Sequence, residues 1–191
     1  MLWGFLYAAG LRPREALAMT WGSVMERVLV VDAAVSAGEL RQTKTNRQRT
    51  VEIIPALAED LDRIRPRISE CDELLAPGER GQSLDIRNWN RRVFRPACKR
   101  AGVRATPYDG RQSFASMLIH AGQRLPYVTA ALGHVSATTT LNHYMHLMAA
   151  ARNAPGVPMA QAVAQARGQL ARAGVRPVCA EDNVTVLRAS R

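Results

Sequence analysis

The chain is poor in lysine, cysteine, histidine and aromatic residues, and each shortage narrows what it can be. Of its 26 basic residues only two are lysines, Lys44 and Lys99, and the other 24 are arginines. Its three cysteines, Cys71, Cys98 and Cys179, are odd in number, far apart and without a C-x-x-C pair, so a disulfide-stapled secreted fold is not expected. The four histidines have no cysteine or ordered carboxylate near them and give no zinc pattern. No run approaches the ~20 apolar residues of a membrane span. The apolar stretch from Met1 to Leu11 lacks a basic n-region and a small-residue cleavage site, so it reads as a core helix rather than a signal peptide. The expectation is a soluble, cytoplasmic protein with no membrane partner.

What is present points elsewhere. With 191 residues, 47% of them hydrophobic and 22% charged, the chain can bury a core as one domain or little more. Basic residues exceed the 16 acidic ones by ten, which implies a polyanionic partner, nucleic acid first. Residues 86–124 hold eight arginines and Lys99 against Asp109 alone, a local charge of +8 out of +10.

Local patterns give a coarse layout. Residues 2–9 read as an apolar helix stopped by Gly10, and Pro13 opens another with Glu15 in its first turn. Val28 to Val31 is a strand of branched residues. The segments 38–43 and 49–54 bracket a polar turn at 44–48, which reads as a β-hairpin with a basic tip. Pro55 starts a helix to about Arg67, and Ser83 could cap a long one to about Ala101. Further helices are expected at 111–121, 126–132 and 137–148, and one at 159–173. The fold class is mixed α/β, predominantly α-helical with a small antiparallel β-sheet at about 28–54.

Four segments carry a resemblance. They are Gly10-Leu-Arg-Pro-Arg-Glu15; Thr43-Lys44-Thr45 followed by Arg49-Thr-Val51; Tyr108-Asp-Gly-Arg-Gln-Ser-Phe-Ala-Ser116; and Leu132-Gly-His134 followed by Thr138-Thr139 and Tyr144. In order and spacing they resemble the active-site boxes of the tyrosine recombinase (phage integrase) family, over about residues 1–147. Arg111 to His134 spans 23 positions and His134 to Tyr144 spans 10.

The resemblance implies DNA breaking and rejoining in site-specific recombination or integration, through a 3′-phosphotyrosine intermediate and with no cofactor or metal. Tyr144 would be the nucleophile. Arg12 and Arg111 would clamp the phosphate, since a guanidinium binds two phosphate oxygens at once and stays charged. Lys44 would be the general acid for the leaving 5′-oxygen, His134 a phosphate hydrogen-bond donor, and Glu15 a support for the first arginine's helix. The partners implied are double-stranded DNA and further copies of the chain, as a tetramer on DNA, with no small-molecule substrate. Residues 1–148 would be the catalytic domain, lacking the helical domain that usually precedes it. Residues 149–191 would be a tail with one docking helix at 159–173.

Two residues depart from the family's pattern. Tyr108 stands where the third box usually opens with histidine, and a phenol of pKa ~10 is a poor base at neutral pH. Gln112 replaces the second histidine and keeps hydrogen bonding without titration. Tyr108 is retained as a catalytic candidate, with activity retuned or lost. The alternatives are a catalytically inactive DNA-binding remnant of an integrase and a topoisomerase-like enzyme that relaxes DNA.

Each residue also has a plain structural reading. Arg12 and Lys44 alone would be solvated turn charges, and Arg111 could merely pair with Asp109. His134 could be a helix-end residue, and Tyr144 a helical anchor with a wet hydroxyl; order and spacing favour the site. Tyr7 and Tyr127 stay structural, His120 is a helix-surface residue, and His143 with His146 lacks a third metal ligand. Arg87, Arg91, Arg92 and Arg95 recur at helical spacing as a solvated face or, with Arg47, as DNA phosphate contacts, which position a duplex without reading its sequence.

Overall fold

Gly10 decides where the first helix ends. In the computed structural model, which describes residues 1–36, 39–42, 48–66, 70–151 and 157–172, helix α1 (Leu2–Ala8) buries Leu2, Phe5, Leu6 and Ala8. Gly10 then takes φ +61°, a left-handed conformation open to glycine, and the chain turns back. Arg12 caps a single turn, α2 (Pro13–Ala16), with Pro13 at its first position. This helix is shorter than its apolar residues suggested. Ala16, Leu17, Ala18 and Met19 are all buried, so the segment is core whatever its conformation.

The strands correct the expected hairpin. Strands β1 (Val24–Met25), β2 (Val28–Val31) and β5 (Arg49–Glu52) form one antiparallel sheet in the order β1-β2-β5. Strands β3 (Ala33–Ser36) and β4 (Glu39–Gln42) form a separate antiparallel pair. The segment before the basic tip thus pairs with β3, and the segment after it pairs with β2. Non-local burial explains the choice. With β2 as partner, Val51 lies opposite Leu29 and both are buried, while Arg49 is carried opposite Val31. The tip itself, with Lys44 and Arg47, lies outside the described residues.

Helix α3 (Pro55–Ile64) buries Ala56, Leu57, Asp60 and Leu61. The long basic helix is α4 (Ile86–Trp89), a π turn (Asn90–Phe94) and α5 (Arg95–Arg100), all continuous. Asp85, not Ser83, caps it: the Asp85 side chain accepts the Arg87 backbone N–H at 2.8 Å. The π turn has a packing reason. Residues five apart in an α-helix point about 140° apart, whereas the wider turn lets both Trp89 and Phe94 meet Trp3, with ring centroids at 5.6 and 4.5 Å.

Helix α6 (Pro107–His120) crosses α1 closely at Gly110, where a Cβ would lie 2.9 Å from Leu6 and 3.0 Å from the Tyr7 ring. Helices α7 (Leu125–Leu132) and α8 (Ala137–Ala151) complete the bundle. Helix α9 (Met159–Arg172) packs on α3 of its own chain, where Arg167 donates to the Asp60 carboxylate at 2.6 Å. Among the described residues no helix is long and apolar enough to cross a membrane.

Gly10 gives the first test. A methyl group there would run into the Phe114 ring, and the left-handed backbone adds strain. Gly10→Ala is expected to lower unfolding stability by ~2–4 kcal/mol, read from urea denaturation; a change within 0.5 kcal/mol would contradict this packing.

Candidate active site

The site is built on the end of α7. Gly133 takes φ +62°, the His134 N–H returns to the Thr129 carbonyl at 3.1 Å, and the Gly133 N–H reaches Ala130 at 2.9 Å. This paired closure is the usual way a glycine ends a helix. It leaves the carbonyls of Ala131, Leu132 and Gly133 at the negative end of the helix dipole. Each accepts from a different arginine. Arg49 Nε donates to Ala131 at 3.1 Å, Arg111 Nη2 donates to Leu132, and Arg12 Nη2 donates to Gly133 at 3.4 Å. Glycine is required at 133 a second time, because a Cβ would lie 2.8 Å from Arg49 Cδ.

One carboxylate serves this cluster. Glu15 is buried and accepts from Arg49 Nη2 at 2.6 Å and Nη1 at 3.1 Å, a bidentate pair. It also accepts from Arg12 Nη1 and from the Arg12 backbone N–H, both at 2.8 Å. Burial pushes its pKa up, but these contacts with Arg49 and Arg12 outweigh burial and hold it at about 2.

Among the described residues Arg111 has no such partner. It is 6% exposed, and its other recorded acceptor is the Gly10 carbonyl, bound by Nη1 at 2.7 Å. Burial first, and then the charge of Arg12, lower its pKa to about 10, so it remains a cation at neutral pH. Two of its five N–H donors are used on carbonyls, which leaves donors for an anion. Asp109, once its possible partner, instead accepts the Thr106 backbone N–H at 2.7 Å and caps α6.

His134 and Tyr144 border this cationic centre. Thr140 Oγ1 lies 2.8 Å from His134 Nδ1. Burial, followed by the charges of Arg111 and Arg12, pushes the His134 pKa down to about 4, so the ring is neutral at neutral pH. Tyr144, on α8, is 4% exposed. Burial raises its pKa, and the nearby Arg111 charge only partly offsets that.

The structure therefore gathers Arg12, Glu15, Arg111, His134 and Tyr144 from four segments. It leaves other candidates outside the cluster. Tyr108, in the first turn of α6, is 58% exposed, and Gln112 is also on the surface. Arg87, Arg91, Arg92 and Arg95 are exposed on the long basic helix, where the first three line a groove with Asp85 and Asn88. His143 donates from Nδ1 to the Thr139 carbonyl, His120 does the same to the Ser116 carbonyl, and both are exposed. Three site residues have no strong local signal: Arg49, Thr129 and Thr140. Arg49 begins a strand whose sequence gives no sign of its carboxylate partner, which is 34 positions away.

The chain is similar to known proteins in family and in fold. The model of the phage integrase family matches residues 1–151. Curated proteins give no match. Among solved structures, the Tn1549 transposon integrase in complex with a circular intermediate DNA superposes with TM-score 0.63 and 20% identity, covering 75% of this chain and 52% of that one. XerA recombinase gives 0.60 and 22%, covering 78% of this chain and 51% of that one. The catalytic domain of bacteriophage HP1 integrase gives 0.53 and 22%, covering 76% and 72%. The chain thus spans about half the length of the first two.

Glu15→Gln keeps the shape and removes the carboxylate that, among the described residues, alone bonds Arg12 and Arg49. Arg49, with its side chain 10% exposed, would be left nearly buried without a counter-charge. A loss of ~3 kcal/mol in urea unfolding at pH 7 is expected. The folded protein releases the Glu15 proton more readily than the unfolded chain, from an ordinary 4.5 down to about 2. Its contribution is therefore complete above pH 4.5 and fades as pH falls toward 2. The acid limb of the stability curve should be shallower in the variant over that window; an unchanged limb would contradict the pairing.

Proposed function

The chain belongs to the phage integrase family, and on that premise we propose that it breaks and rejoins double-stranded DNA in site-specific recombination or integration, through a 3′-phosphotyrosine intermediate. The observation that carries this is Arg111: a buried cation held by two carbonyls, bonded to no carboxylate among the described residues, beside Arg12 and next to Tyr144. A phosphodiester supplies the missing anion. Three guanidiniums against one carboxylate leave the centre an excess of positive charge.

In this reading Arg12 and Arg111 hold the two non-bridging oxygens and stabilise the charge that grows on the pentacoordinate phosphorus. The Tyr144 Oη gives up its proton to solvent, attacks phosphorus and forms the Tyr–O–P bond as the P–O5′ bond breaks. Burial resists loss of the phenolic proton and the Arg111 charge favours it. His134 donates from its outer ring nitrogen to a phosphate oxygen. Lys44, on the segment between β4 and β5, gives the 5′-oxygen its proton. Glu15 holds Arg12 in place, and Arg49 holds Glu15. The exposed Arg87, Arg91, Arg92 and Arg95, with Arg47, take phosphates along the duplex. Residues 1–148 act as the catalytic unit and work as a tetramer on DNA. The complex of the Tn1549 integrase with DNA supports a DNA substrate by analogy of fold.

A second reading is favoured by Tyr108 and Gln112, neither of which is a base at neutral pH: an inactive DNA-binding remnant. Nicked duplexes drawn from the DNA flanking the chain's own coding region distinguish the two, because loss of the short fragment traps a covalent adduct. The expected result is an adduct that survives denaturation, disappears in Tyr144→Phe and falls ~100-fold or more in Arg111→Ala. DNA binding without an adduct in the wild type would establish the remnant reading instead.

A further inference from the structure

Thr140 is fully buried in the first turn of α8, while its neighbours Thr138 and Thr139 are exposed. Its hydroxyl has one proton to give and two lone pairs. Thr129 Oγ1, from α7, donates to Thr140 Oγ1 at 3.1 Å, which fills a lone pair and leaves the Thr140 proton to be placed. The acceptor within reach is His134 Nδ1 at 2.8 Å. If Nδ1 accepts, the neutral ring carries its single N–H on Nε2, the atom facing away from the threonine pair.

We propose that Thr129 and Thr140 form a two-hydroxyl relay that locks His134 in its Nε2-protonated form, so that both threonines are positioning residues for the phosphate contact. The relay rests on the reading that His134 faces a DNA phosphate, since only then does the choice of nitrogen matter to the reaction. An acceptor nitrogen turned toward a phosphate oxygen would repel it, whereas Nε2–H attracts it. The relay also ties α7 to α8 on either side of the His134 loop, so the ring is oriented by both helices that flank it.

The surroundings keep the ring a one-donor group. The charged or titratable groups that face it are Arg111 from α6, Arg12 from the cap of α2, His143 from α8 and Arg49 from β5. None is an acid, and together with burial they hold the His134 pKa at about 4. A charged ring would have a proton on Nδ1 and would compete with the Thr140 proton for the same line between the two atoms. The relay and the arginines therefore favour the same neutral form.

The test is long-range 1H–15N correlation of the full chain labelled at histidine, from pH 5.5 to 8 and without DNA, with His134 assigned by His134→Gln. The expected spectrum is a neutral Nε2–H ring across the whole range. In Thr140→Val the ring should become a mixture of tautomers, and adduct formation on nicked DNA should fall about tenfold. Thr140→Ser should restore both. An Nδ1–H ring in the wild type would overturn the relay, as would Thr140→Val with the wild-type tautomer. The wild-type spectrum decides the matter even if Thr140→Val does not fold. Absence of adduct in every variant would count against the DNA reading alone, because the tautomer is read without DNA.

Discussion

Three successive carbonyls at the end of α7 are the constraint on which the site depends. A helix leaves its last carbonyls unpaired, and here each is answered by a guanidinium from a different region of the chain: residues 49, 111 and 12. The helix end thus collects like charges that would otherwise separate. The rest of the fold delivers them. Pairing of β5 with β2 brings Arg49 to α7, and packing of α6 against α1 sets Arg111 beside the Gly10 carbonyl. The turn at Gly10 then places Arg12 one helix cap away.

Burial acts on Glu15, Arg111, His134 and Tyr144, and the neighbouring charges either oppose it or add to it. Glu15 is as buried as any carboxylate here, yet four hydrogen bonds to Arg12 and Arg49 keep it ionised. Tyr144 feels Arg111 without a bond to it, so burial wins and the phenol stays neutral. His134 has burial and cations acting in the same direction, and its pKa falls to about 4. The centre therefore rests as a cluster of positive charge with a neutral histidine and a neutral tyrosine.

Much of the layout could be read locally. Helices at 2–8, 55–64, 107–120, 125–132, 137–151 and 159–172 lie close to their expected places, because proline starts, glycine stops and apolar spacing are local signals. The pairing of β4 and β5 could not be read this way. Both segments are plausible strands beside a polar turn, and only burial of Val51 against Leu29 selects β2 as the partner of β5. The cap of the basic helix moved from Ser83 to Asp85 for a similar reason: either side chain can cap, and packing of Trp89 and Phe94 on Trp3 sets the register.

By itself, the order of residues determined the helical class and the concentration of positive charge in residues 86–124, and the resemblance of its four segments to the family's boxes pointed to Arg12, Glu15, Arg111, His134 and Tyr144. Only the tertiary structure decided how those residues are held. Arg49 joins Glu15 across 34 positions, Arg111 joins Gly10 across 101, and Thr140 joins His134 through a hydroxyl that is useful only because it is buried. The reason is physical: a carbonyl at a helix end or a hydroxyl in a core has no distinguishing letter in the sequence. Its part in the site comes from which distant group the fold brings within hydrogen-bonding reach and whether water is kept away.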